Sequence, residues 1–335
     1  MTPNLEKFAR LTKLLKDLLT VKNYSVKSGS VSAVRQVDFK VSENEKLGIV
    51  GESGAGKSML GLSLMGLLPF GWESTGSAEL AGRELVSMSE KDLVGVRGRD
   101  ISMVFQDSLS ALNPMKKIGK QLEFAFKHAE VSRREGFDEY ILALMHSLKI
   151  DDPELSLQKY PHQLSGGQRQ RILIGMAVAC NPRLIVADEP TTSVDSVIQR
   201  DVLDVLISNV SRLGASLVLI THDLAVVSNY CEKIIVMYAG KIVESGPVAS
   251  VMGNPKHPYT KALIGSHISL KHIKSGMSKR LPVIPGMMPA IQAIPTGCAF
   301  KTRCGSATAA CEVQPPNFLI GERTVSCWHI EDQSE

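Results

Sequence analysis

The chain has 335 residues, 44% hydrophobic and 21% charged, enough for two domains or one domain with large additions around an ordinary core. Its formal net charge of +4 is too mild to argue for nucleic acid, and aromatics at 5% leave little for base stacking. No run of about 18 apolar residues is present, so no segment is expected to span a bilayer.

Near the start, Leu5, Phe8, Leu11, Leu15, Leu18 and Leu19 recur at helical spacing with basic residues between them. This predicts an amphipathic extension over residues 1–20, either packed or frayed on the domain or touching a membrane or partner. Lys7, Arg10, Lys13 and Lys16 break the leucines and leave no apolar stretch of a secretory signal. The expectation is a cytosolic protein that serves a membrane only through a partner.

Strand patterns follow over residues 21–50, where Val31, Val34, Val37, Phe39 and Val41 sit among polar neighbours. Residues 47–50 read as a buried strand feeding Gly51-Glu52-Ser53-Gly54-Ala55-Gly56-Lys57-Ser58, a match to G-x-x-x-x-G-K-[ST]. Gly51, Gly54 and Gly56 let backbone N–H groups, Ser53 among them, close around phosphate oxygens. Lys57 adds a mobile positive charge, and the Ser58 hydroxyl can ligate Mg²⁺. Residues 59–68 read as the helix whose N-terminus faces the phosphates.

Residues 101–105 form another buried strand, followed by Gln106, whose amide there can ligate Mg²⁺ and touch an attacking water. Residues 113–163 are mostly helical and polar, punctuated by Asp152-Pro153 and Tyr160-Pro161. Leu164-Ser165-Gly166-Gly167-Gln168 then opens a helix that runs to Cys180. A serine N-cap accounts for Ser165. It does not account for the double glycine, which costs backbone entropy but leaves N–H groups bare at an anion-preferring helix end.

Leu184-Ile185-Val186-Ala187 is a continuous apolar run, the pattern of a strand buried on both faces, and ends in Asp188-Glu189. The carboxyl end of such a strand opens on the ligand crevice of a parallel sheet. Asp188 can hold the Mg²⁺ hydration shell, and Glu189 can polarise the attacking water. A further strand over 217–221 is followed by His222, and residues 234–244 read as a hairpin turning at Ala239-Gly240. The result is a mixed α/β core interrupted by a helical insert over about 107–175.

Beyond Gly246 the composition changes. Prolines recur at 255, 258, 282, 285 and 289, residues 271–280 are basic, and a connector to a small C-terminal lobe is predicted. Four of the six cysteines crowd there, spaced Cys298-x5-Cys304-x6-Cys311-x15-Cys327, apart from Cys180 and Cys231. Four thiolates can hold zinc or an iron–sulfur cluster, and a segment this small needs a staple to fold. Zinc sites usually begin with a C-x2–4-C knuckle, which is missing here. His329 is a spare ligand or a bystander, and four buried structural cysteines are the remaining reading.

The phosphate loop followed by Leu164-Ser165-Gly166-Gly167-Gln168 resembles the ABC ATPases. The resemblance implies a RecA-like α/β core, an antiparallel β subdomain and a helical subdomain. It also implies one ATP sandwiched between the phosphate loop of one subunit and Ser165, Gly166, Gly167 and Gln168 of another. Gln106 then resembles the Q-loop, which couples ATP to the transport subunits. His222 resembles the H-loop, contacting the γ-phosphate and aligning Glu189, and Asp195 in Thr192-Ser193-Val194-Asp195 resembles the D-loop. The family usually stacks adenine on an aromatic in the first strands; the aligned position here is Ser28, with Tyr24 nearby.

His257-Pro258-Tyr259-Thr260-Lys261-Ala262-Leu263 narrows the resemblance to the ATP-binding subunits of oligopeptide/dipeptide ABC importers. Pro295-Thr296-Gly297-Cys298-Ala299-Phe300 and Thr302-Arg303-Cys304 resemble their C-terminal cysteine domain, which in that family holds a [4Fe–4S] cluster. Thr302 and Ala299 depart from the common pattern, but neither is a ligand. The implied organisation is an ATPase domain over 21–256 and a cysteine-rich domain over 257–335.

The implied function is ATP hydrolysis that powers import of peptides or similar small solutes, at the cytoplasmic face of the inner membrane. The implied partners are a second ATPase subunit, identical or a paralogue, two transmembrane permease subunits and, indirectly, an extracytoplasmic solute-binding protein, with no nucleic acid. The alternatives are a soluble ABC ATPase in repair or cluster assembly, or an importer of another solute such as nickel. The sequence does not reveal the solute.

Overall fold

The computed structural model describes residues 16–128, 137–192, 194–266 and 284–330. Two sheets organise them. The first is antiparallel and joins β1 (Asp17–Ser28), β2 (Val31–Ser42), β4 (Glu73–Leu80) and β5 (Arg83–Glu84) in the order β2-β1-β4-β5. The second has eight strands. It places β3 (Lys46–Val50), β6 (Ile101–Val104), β7 (Leu184–Asp188), β8 (Ser216–Thr221), β9 (Lys233–Tyr238), β10 (Lys241–Pro247), β11 (Phe318–Ile320) and β12 (Arg323–Val325) in the order β11-β12-β10-β9-β3-β8-β7-β6.

The parallel part of the second sheet runs β9-β3-β8-β7-β6. Every residue of β6, β7 and β8 is buried, as expected for strands covered on both faces. The strand neighbours place the carboxyl ends of β3, β7 and β8 side by side, and β6 ends beside β7. Four of the expected site segments leave the sheet at these ends.

The phosphate loop leads from β3 into helix α1 (Lys57–Leu64). That helix stops short of residue 68 because Gly66 turns left-handed at φ 62°. Helix α2 (Glu90–Val96) is N-capped by Ser89, which accepts from the Asp92 N–H. The helical insert comprises α3 (Ser108–Ala111), α4 (Ile118–His128), α5 (Phe137–Ser147), α6 (Pro153–Gln158) and α7 (Gly166–Val178). Leu122, Phe126, Met145, Leu148 and Ile172 are fully buried there and share one core with Val202 and Leu206 of α8 (Ser196–Leu213).

Two expectations change. Leu18 and Leu19 belong to a strand, not to the end of an N-terminal helix. Leu19 pairs with Val41 on one side and Leu80 on the other, and both leucines are buried in the first core. Antiparallel pairing from two sides outcompetes the helical phase of the leucines. Residues 1–15 of that extension, and the basic stretch 271–280, lie outside the described residues.

The second concerns the C-terminal segment, expected as a small lobe behind a connector, which is tied into the main sheet. Hairpin β11–β12 pairs onto β10 through Glu244 with Val325 and Ser245 with Thr324, extending the main sheet. A third core joins Tyr238 of β9 and Val251 of α10 (Val248–Gly253) to Tyr259 of α11 (Pro258–Ser266), Ala299 and Phe300. The Tyr238, Tyr259 and Phe300 rings meet edge to face at 4.7–5.4 Å between centroids. Under them Glu244, with no exposed surface, accepts from the N–H groups of Lys256 and His257. The proline-rich connector is therefore anchored by a buried carboxylate.

Among the described residues no helix is long and apolar enough to cross a membrane.

Candidate functional site

The phosphate loop is shaped by its glycines. At Gly56, φ is +95° and a Cβ would lie 2.2 Å from the Ala33 carbonyl oxygen, so both conformation and space require glycine. Lys57, only 5% exposed, curls back over its own loop. Its Nζ donates to the Gly51 carbonyl at 2.8 Å and the Glu52 carbonyl at 3.0 Å. Burial pulls the Lys57 ammonium below its usual pKa, opposed by the nearby carboxylates of Glu189, Asp188 and Glu52. An anion reaching this lysine meets a poorly hydrated positive charge.

Ser58 and Asp188 come together across the sheet. The Ser58 hydroxyl donates to Asp188 Oδ1 at 3.0 Å. Burial raises the Asp188 pKa, the Ser58 hydrogen bond opposes it, and the Glu189 charge raises it further. A hydroxyl and a desolvated carboxylate in contact make a donor pair suited to a hard divalent cation such as Mg²⁺, which would supply charge neutralisation at phosphate oxygens.

Glu189 is the centre of the arrangement. Its backbone is left-handed at φ 43°, an uncommon state for a non-glycine residue, and its N–H donates to the Ile220 carbonyl at 2.9 Å. Its Oε2 accepts from Gln106 Nε2 at 3.3 Å and from Thr192 Oγ1 at 2.7 Å, with His222 Nδ1 at 3.4 Å. Gln106 from the end of β6 and His222 from the end of β8 thus converge with Thr192 on a carboxylate oxygen at the end of β7. Thr192 was not expected in this role. It follows no strand, and only the turn Glu189–Thr192, closed by the Thr192 N–H on the Glu189 carbonyl, brings it back.

One open cavity collects these groups. It is lined by the loop from Ser53 to Met59 together with Gln106, Glu189 and His222, and on its far side by Ala33, Trp72, Met288, Pro289, Ala290, Ile291 and Ile294. Ser28 and Tyr24 are not part of this lining; Tyr24 is a core residue with 1% exposure. The apolar wall comes instead from Trp72 and from the C-terminal segment, which no local sequence signal connected with the phosphate loop.

Ser165, Gly166, Gly167, Gln168 and Asp195 do not reach that cavity within one chain. Ser165 N-caps α7 in a reciprocal box. Its Oγ accepts from the Gln168 N–H at 3.2 Å, and Gln168 Oε1 accepts from the Ser165 N–H at 3.1 Å. Asp195 occupies the N-cap position of α8 without a side-chain cap bond. Gly167 is needed for packing, since a Cβ would come within 2.8 Å of Ile198 Cγ2.

Cys298, Cys304, Cys311 and Cys327 line one small cavity with His257, Phe300, Trp328 and His329, and none forms a disulfide. Gly297, at φ +74°, lets the chain before Cys298 run against the carbonyls of Cys311 and Glu312, 2.4 Å from where a Cβ would stand. Burial pushes up the thiols of Cys298, Cys304 and Cys327, and neighbouring cysteine charges add to it. His329 Nε2 lies 3.7 Å from Cys311 Sγ and 3.0 Å from Thr308 Oγ1. The closed ligand set expected from the sequence is not formed: among the described residues no group of three or more His, Cys, Asp or Glu is arranged to hold a metal ion. The four side chains remain free thiols on one cavity.

Residues 34–192 match the family model described as ABC transporter, and residues 243–311 match that of the oligopeptide/dipeptide transporter C-terminal region. The chain is 42% identical to the dipeptide transport ATP-binding protein DppD of Haemophilus influenzae, covering 92% of this chain and 94% of the relative. It is 40% identical to the oligopeptide transport ATP-binding protein OppD of Bacillus subtilis, covering 93% and 87%. Among solved structures it is similar to the dimeric post-hydrolysis state of the ATP-binding cassette MJ0796 bound to ADP and Pi. There the TM-score is 0.59 with 26% identity, over 69% of this chain and 98% of that one. The strand-end convergence on Glu189, the phosphate loop and these matches over nearly the whole length agree: the chain is an ATPase and belongs to the ATP-binding proteins of ABC transporters, in their oligopeptide/dipeptide group.

Proposed function

We propose that this protein powers the import of di- or oligopeptides, working in pairs at the cytoplasmic face of a membrane beneath two permease subunits. The observation that carries the reading is the set of three side chains around the Glu189 carboxylate, one residue beyond the Asp188–Ser58 pair. In this reading the backbone amides of the phosphate loop and Lys57 hold the β- and γ-phosphates, and Ser58, Asp188 and Gln106 hold Mg²⁺. Glu189 takes or polarises the proton of the attacking water, with His222 and Thr192 fixing its direction. Positioning and charge neutralisation then carry the rate. Ser165, Gly166, Gly167, Gln168 and Asp195 serve the ATP of the neighbouring subunit, consistent with their distance from this chain's own cavity. Phe105, Leu109, Met115 and Phe124, which follow β6 in the chain, are exposed, and in this reading they are available to a membrane partner coupled through Gln106. The wall of Trp72, Met288 and Ile291 takes the adenine in place of a stacking aromatic at Ser28.

The cysteine cavity holds a [4Fe–4S] cluster in a structural role. Four unpaired thiols on one cavity support this. A single zinc ion is favoured less, because structural zinc sites usually begin with a C-x2–4-C knuckle, which this sequence lacks. The transporter purified anaerobically with its membrane subunits should be brown, carry about four irons per chain, and raise its ATP hydrolysis when peptide and binding protein are supplied. One zinc per chain would replace the cluster with zinc, and no metal would end both metal readings. Stimulation by a different solute class and not by peptides would overturn the peptide assignment.

A further inference from the structure

We propose that Arg303, in the cysteine-rich segment, is a positioning residue for the phosphate loop and acts through Glu52. The proposal rests on the ATPase reading of the cavity and adds to it a residue 251 positions away in sequence. The Arg303 side chain is 4% exposed. Its guanidinium meets the Glu52 carboxylate as a fork, Nη1 to Oε2 at 2.6 Å and Nη2 to Oε1 at 3.0 Å. The other donors are held too: Nε on the Pro285 carbonyl at 2.7 Å, Nη2 on that of Gly286 at 3.3 Å, and Nη1 on the Tyr238 hydroxyl at 3.3 Å. The group also lies over the Tyr238 ring, 5.8 Å from its centroid.

Glu52 is the first variable residue of the phosphate loop and does not line the cavity, although Ser53 and Gly54 do. It is tied at three points. Its N–H donates to the Tyr259 hydroxyl at 2.9 Å, its carbonyl accepts from Lys57 Nζ, and its carboxylate receives Arg303. Two of these ties come from residues beyond 256. Arg303 therefore fixes the start of the loop on which both the phosphate-binding amides and Lys57 depend. A bidentate fork holds orientation as well as charge, and a lysine ammonium cannot reproduce it. Since the loop geometry serves ground state and transition state alike, its loss should weaken ATP binding and leave the chemical step nearly unchanged.

The test compares wild type, Arg303→Lys, Glu52→Gln, the double variant and Lys57→Ala in the assembled transporter, reading KM for ATP, kcat and melting temperature. Arg303→Lys and Glu52→Gln should each raise KM for ATP about tenfold with kcat at saturating ATP within about twofold, although loss of a buried ion pair also lowers the melting temperature. The double variant should be no worse than the singles, because both act through one contact. An unchanged KM in Arg303→Lys, additive effects on KM, or a kcat that falls as far as KM rises would each overturn the proposal. Lys57→Ala keeps the readings separate: if it binds ATP normally, the ATPase reading of the loop fails, whereas its failure to bind beside an unaffected Arg303→Lys removes only the positioning role.

Discussion

Glu189 sits in left-handed backbone, a conformation that costs on the order of 1–3 kcal/mol for a non-glycine residue and persists where surroundings over-determine it. Its N–H is spent on the neighbouring strand β8, and its carboxylate is shared among Gln106, Thr192 and His222. Glu189→Gln keeps the shape and removes the carboxylate proposed to act as the base. ATP hydrolysis in the assembled transporter should fall about 100-fold or more, with nucleotide affinity retained; near-normal turnover would remove Glu189 from the chemistry. Gln106, Asp188, Glu189 and His222 were legible because each stands at the end of a buried apolar run. Thr192 and Arg303 were not. The first returns through a tight turn, and the second pairs with Glu52 across most of the chain, so neither leaves a local pattern.

At the scale of elements, the parallel strands could be read from their continuous apolar runs, and the helix after Leu164 from its serine and glycines. Strands β4 and β5 could not, because Glu73–Leu80 is largely polar and only Ala78 and Leu80 are buried in it. Ser165 is the N-cap of α7, and in the proposed dimer it has a second role as a contact to the neighbour's ATP. Ser165→Asp keeps a good N-cap acceptor at a helix end that favours negative charge, so the melting temperature should hold. The added carboxylate would face the incoming phosphates, and ATP-dependent dimerisation, followed by size-exclusion chromatography of a Glu189→Gln background, should be lost. A dimer that still forms would place the ATP contact elsewhere. A substitution at Gly167 tests this less cleanly, since its Cβ would also push Ile198 and disturb the packing of α7 on α8.

For the whole molecule, the sequence suggested an ATPase with an appended cysteine lobe, whereas the structure joins both in one sheet and one aromatic core. That joining rests on pairings such as Glu244 with Val325, which no composition shift reveals. Stability should also depend on pH through Cys231, wedged between the second and third cores. Burial, with the Glu232 charge adding to it, pushes its thiol up from 9.0 to about 12. Above its unfolded pKa the unfolded chain loses this proton while the folded chain keeps it, so the contribution is whole below about pH 9 and declines as pH rises toward 12. Between pH 8 and 10 the wild type should lose roughly 1 kcal/mol more than Cys231→Ala, measured by urea denaturation. Equal losses would show that the thiol titrates normally.

The pairing of β12 with β10 also bears on how the protein is made. Until residues 318–325 have left the ribosome, the outer edge of β10 has no partner at Glu244 and Ser245. A nascent chain stalled earlier presents an unpaired strand edge on an otherwise folded sheet, a template for joining another chain. The β11–β12 hairpin therefore covers this strand edge only after most of the described chain has been made.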